Sequence, residues 1–68
     1  MSGDETYRAH IRATMPVEAG GEACTLIVRR AGNRVQLLHH GVFSTAADLT
    51  GAQAVELAGM LTVASEAR

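Results

Sequence analysis

Apolar and polar residues alternate from Thr6 to Thr14. Tyr7, Ala9, Ile11 and Ala13 fall on one side, and Arg8, His10, Arg12 and Thr14 on the other. Period two with one polar face predicts a half-buried strand. Met15-Pro16 ends it, because proline has no N–H for a ladder and restricts the residue before it. Residues 16–22, with Pro16, Gly20 and Gly21, read as a loop. Ala23–Arg30 is a second strand rich in β-branched and aliphatic residues, and Arg34–His40 a third. Gly32-Asn33 lies between two apolar runs and predicts a hairpin, since glycine supplies the positive φ of a two-residue turn. Gly41 then marks a turn or bulge, and Val42–Thr45 is the candidate for a short fourth strand.

A two-residue turn pairs Arg30 with Val35, Val28 with Leu37 and Leu26 with His39 on one side of the sheet. Arg29/Gln36, Ile27/Leu38 and Thr25/His40 share the other side. A change of one residue in the loop would flip one strand. The side that collects Cys24, Leu26, Val28, Val35 and Leu37 is the expected core face. Tyr7, Ile11, Phe43, Leu57, Met60 and Leu61 are expected to reach the same core.

Thr50 followed three residues later by Gln53 fits a capping box and predicts a helix start. No proline follows, so the helix is expected to run to the chain end. Ala54, Leu57, Ala58, Leu61 and Ala64 form its core stripe. Val55 and Val63 lie off that stripe, and a helix apolar on more than one face suggests a second contact. Gly59 costs the helix about 1 kcal/mol relative to alanine, tolerable where a backbone packs closely. The reading is an α+β fold. A three- or four-stranded antiparallel sheet carries one C-terminal helix on one face, as a single domain over 6–68 after a frayed segment, 1–5.

The chain has 68 residues and a formal charge of −1, which leaves room for one thin core. Small chains in this position usually add disulfides, a metal or a second subunit. Cys24 is the only cysteine, so no internal disulfide and no cysteine-rich zinc site can form. A second subunit is the remaining staple, with Val55 and Val63 as the expected dimer contacts. No long apolar run or signal-peptide pattern is present, so the expectation is a cytoplasmic protein with no membrane contact.

The chemistry-bearing residues form no catalytic pattern. His39 and His40 are adjacent in a strand and point to opposite faces, so they cannot chelate one ion together. His10 and His40 could share the outer face if the first and third strands are neighbours, but two imidazoles fall short of a zinc site. Cys24 belongs to the apolar face and reads as an inert core thiol. Gly20-Gly21 is too short to cradle a phosphate. No cofactor and no enzymatic activity are expected.

The basic residues are all arginine. Between Thr6 and Thr45, five arginines oppose Glu18 and Glu22, a balance of +3, whereas Ala46–Arg68 carries −2. Arg8, Arg12, Arg29 and Arg34 share the outer sheet face with His10, Gln36 and His40. Such a face can engage phosphates, although the near absence of aromatics serves base stacking poorly. Ile27 and Leu38 form an aliphatic pair at its centre. An apolar centre with an arginine rim of Arg12, Arg29 and Arg34 resembles a protein-contact patch.

From Thr25 onward, a hairpin, a short polar segment and the run Leu49, Thr50, Gln53, Ala54, Leu57, Ala58 resemble many short proteins of high-GC bacteria. The resemblance implies a hairpin-plus-helix fold and brings no activity or functional residue. The architecture is also similar to that of small accessory proteins of peptide synthetases, but their tryptophan signature is missing here. The function expected is a small non-enzymatic protein-interaction or regulatory module, homodimeric. The alternative is a nucleic-acid-binding regulator using the arginine-rich face.

Overall fold

Four strands form one antiparallel sheet in the order β1-β2-β3-β4, followed by a single helix. The structure is a computed structural model and describes residues 5–67. Its elements are β1 (Glu5–Thr14), a 3-10 turn (Val17–Ala19), β2 (Ala23–Ala31), β3 (Arg34–His40), β4 (Ser44–Leu49) and α1 (Gly51–Glu66). Of the expected frayed start, residues 1–4 lie outside the described residues, and so does Arg68. Glu5 is the first residue of β1.

The hairpin has the register expected of a two-residue turn: Arg30 faces Val35, Val28 faces Leu37, Ile27 faces Leu38 and Arg29 faces Gln36. Gly32 stands at φ 63° while Asn33 keeps a negative φ. Glycine alone at the first central position is the type II′ arrangement, whose twist matches that of the flanking strands. β1 pairs with β2 alone, Ile11 opposite Leu26 and Ala9 opposite Val28. His10 and His40 therefore share a face but are separated by β2.

The fourth strand differs from expectation. It begins at Ser44 and runs to Leu49, while Val42 and Phe43 make the bend before it. Ser-Thr-Ala-Ala-Asp-Leu has little intrinsic strand preference, and the free edge of β3 imposes extension on it through the ladder Gln36–Asp48, Leu38–Ala46 and His40–Ser44. Phe43 is consequently exposed, with its ring 6.0 Å from that of His39.

Thr50 alone separates β4 from α1. Its hydroxyl accepts from the Gln53 backbone N–H at 3.1 Å, and the Gln53 side chain accepts from the Thr50 N–H at 2.9 Å, completing the capping box. So short a connection folds the helix back over the strand it leaves. The backbone of α1 comes closest to β3 and β4, and its Leu57 and Leu61 side chains reach over Leu26 and Val28 of β2. It ends at Glu66, and Ala67 is extended.

That placement changes the core. Met15 and Cys24, 5% and 6% exposed, are the only buried hydrophobic residues among those described. Leu26, Val35, Leu37, Leu49 and Leu57 are half-buried. Tyr7, Ile11, Phe43, Met60 and Leu61, all expected in the core, are exposed. The physical reason is width. Four strands spaced about 4.8 Å apart make a face roughly 19 Å wide, and one helix is only about 10 Å across. No helix among the described residues is long and apolar enough to cross a membrane.

Candidate interaction surfaces

The sheet has two faces of different chemistry. On the outer face the register lines side chains into rows that cross all four strands. One row holds Arg8, Arg29, Gln36 and Asp48. A register shift between Glu5 and Tyr7 turns Glu5 onto this face as well. The Glu5 carboxylate accepts from Arg8 Nε at 2.9 Å and Nη2 at 3.0 Å, and from Arg29 Nη1 at 3.3 Å. Arg29 Nε also donates to the Gln36 carbonyl, and Gln36 Nε2 donates to Asp48 Oδ1 at 2.9 Å. A continuous polar chain thus ties β1 to β4. The Arg8 guanidinium holds the Glu5 carboxyl below its usual range, with help from Arg29, and Glu5 in turn raises Arg8.

The next row is His10, Ile27, Leu38 and Ala46. Ile27 and Leu38 are half-buried and face each other, as the hairpin register requires. With Ala46 and His40 they floor a shallow depression of about 250 Å³. The third row is Arg12, Thr25, His40 and Ser44, in which the His40 Nδ1 and Ser44 Oγ lie 3.0 Å apart.

Of the expected rim, Arg12 and Arg34 are exposed, one at each end of the face. Arg29 is half-buried and already engaged by Glu5 and Gln36, so it stiffens the sheet instead of reaching outward. Arg8 is similarly engaged. By its sequence pattern Glu5 belongs to the polar segment expected to be frayed. Nothing in the alternation from Thr6 onward signals the irregular residue that turns it to the outer face.

The inner face is apolar and partly bare. Between α1 and the sheet lies a groove of about 290 Å³, floored by Val28, Val35, Leu37 and Leu49 and roofed by Leu57 and Leu61. A second hollow of about 170 Å³ continues past Leu61 over Ile11, Leu26 and Val28. Ile11 and Leu61 are 63% and 62% exposed. Val55 and Val63, the expected dimer contacts, are both exposed on α1.

Among the described residues no group of three or more His, Cys, Asp or Glu side chains is placed to hold a metal ion. His39 and His40 point to opposite faces, and Cys24 is buried beside Gly41. Comparison with family models, with curated proteins and with solved structures gives no significant match, so the functional argument stands on the surfaces of this chain.

Proposed function

We propose that this chain is a small non-enzymatic protein-interaction or regulatory module that works as a homodimer. One observation carries the reading: the apolar surface left open is larger than the core that is closed. Met15 and Cys24 are buried, while Ile11, Val28 and Leu61 line one open apolar hollow and Tyr7 and Met60 are exposed as well. Large exposed apolar patches mark contact sites in folded proteins. The outer face, with Ile27 and Leu38 at its centre and Arg12 and Arg34 at its ends, is the surface offered to a further protein partner.

Nucleic-acid binding through the outer face is the second reading, favoured by the exposed Arg12 and Arg34. It is the weaker one, because Glu5 already compensates Arg8 and Arg29. A duplex-binding titration at low and physiological salt separates the two. Loss of tight, salt-steep binding in Arg12→Ala/Arg34→Ala, with binding intact in Ile27→Glu, would establish the nucleic-acid reading. On the protein reading the parent shows no such binding. Its melting temperature rises with protein concentration, as an obligate dimer requires. A concentration-independent melt with a monomeric mass throughout overturns the dimer.

A further inference from the structure

We infer that the bare half of the inner face is covered by the helix of a second copy of this chain, giving a sandwich of sheet, helix pair and sheet. The inference rests on the homodimer proposed above and adds which surfaces meet.

Four independent features converge on it. The first is width. Two helices packed side by side, about 8–10 Å between axes, cover the roughly 19 Å of a four-stranded face. One chain supplies part of that cover, from the β4 edge to Leu26 and Val28 of β2, and Tyr7 and Ile11 of β1 are left to the other.

The second is the circumference of α1. At 3.6 residues per turn, Ala52, Gly59 and Val63 lie roughly 150° or more from the Ala54–Leu57–Ala58–Leu61 stripe that faces the chain's own sheet. Val55 and Met60 lie on the flanks. Glu56 and Glu66 are the only charged residues between Gly51 and Glu66. The hydroxyls of Thr62 and Ser65 turn back to donate to Ala58 and Thr62 carbonyls at 2.9 and 2.7 Å. A helix that carries apolar residues on its flanks and outward side as well as on its sheet side has a second contact to make. Val55 and Val63 are nevertheless 74% and 68% exposed in the single chain.

The third is Gly59. Glycine weakens a helix interior, and a Cβ at Gly59 would meet nothing within 4 Å in the single chain. The residue has no reason inside its own fold. On the outward side of α1 it lets a second backbone approach.

The fourth is area. The chain exposes 5310 Å², whereas a compact monomer of 7.1 kDa exposes about 4,100 Å². The excess of roughly a thousand Å² per chain is what each partner of a permanent homodimer buries.

A two-fold axis running along the strand direction between two facing sheets satisfies all four. It sets the helices side by side in one layer, each with its stripe on its own sheet and its Ala52–Gly59–Val63 side toward the partner's β1. Val63 then lies over Ile11 of the other chain. Glu56, on the same side of the helix, comes within reach of Arg30, the one arginine in the inner-face register of β2. The two outer faces point in opposite directions, so the dimer presents two equivalent Ile27/Leu38 surfaces.

The test uses full-length chains with Cys24→Ala, one carrying Ile11→Cys and the other Val63→Cys, mixed and mildly oxidised. A covalent heterodimer on a non-reducing gel, absent for either chain alone and absent when Arg12→Cys replaces Ile11→Cys, is the expected result. A dimeric mass by sedimentation with no such cross-link overturns this arrangement and leaves the homodimer standing. A monomeric mass up to high concentration overturns both. Gly59→Ala tests the same contact without a charge change. Overpacking at the interface should raise the dimer dissociation constant roughly tenfold. Unchanged dissociation with a higher melting temperature, the response of a solvent-facing helix, overturns the close approach.

Discussion

The part of the inner face under α1 and the part at Tyr7 and Ile11 of β1 carry similar side chains and meet different fates. Leu37 and Leu49 lie under α1, while Ile11 and Tyr7, in the same apolar register of the same sheet, face outward uncovered. Residue type does not separate them, since isoleucine and tyrosine bury at least as much apolar area as leucine. Connection length does. The single residue between β4 and α1 starts the helix over the strand it has just left, and a helix about 10 Å wide cannot also cover the far edge at β1. In this molecule burial is decided by reach.

The outer face shows the opposite strategy. There β1 is held by Glu5, whose carboxylate bridges Arg8 on its own strand and Arg29 on the next.

Substitutions on the two halves should expose the contrast. The largest effect is expected from Ile11→Asp on the bare half. If that half is solvent, the change is nearly neutral, within about 0.5 kcal/mol, as for most surface positions. If a second chain covers it, a buried carboxylate costs several kcal/mol. Sedimentation equilibrium should then show at least a hundredfold weaker association.

On the covered half, Thr50→Ala removes the hydroxyl that caps α1 and should cost about 1 kcal/mol. Urea midpoints compared at equal protein concentration would show it, and an unchanged midpoint would mean that Thr50 does not hold the helix start. The smallest effect belongs to Glu5→Gln. The Glu5 carboxylate and Arg8 are open to solvent and Arg29 only half-buried, so screening leaves the ion pairs a small contribution. The folded carboxyl lies below the usual value of 4.5, so its stabilisation is fully present above that pH and is lost as pH falls through the folded value. Parent and variant should differ slightly at neutral pH and converge under acid. A gap that widens on acidification would contradict the ion pair.

Much of the fold was legible because short-range chemistry specified it. The turn at Gly32-Asn33 set the pairing of Val28 with Leu37 and Arg29 with Gln36, and the three-residue spacing of Thr50 and Gln53 marked the helix start. Ile27 and Leu38 were placed together for the same reason. β4 was displaced because Ala46, Ala47 and Asp48 carry no strand signal of their own and extend only on the edge of β3. The pattern alone makes Arg29 a rim residue, because its engagement depends on Glu5, 24 positions away, turned to that face by a local irregularity of β1.

The sequence by itself determined the elements, the hairpin register and the two chemical faces, because turn conformation, capping and alternation act between near neighbours along the chain. The tertiary structure alone decided which apolar residues are covered. That outcome depends on the width of the assembled sheet against the width of one helix and on where a one-residue connection lets the helix lie, and neither quantity exists until the strands are paired.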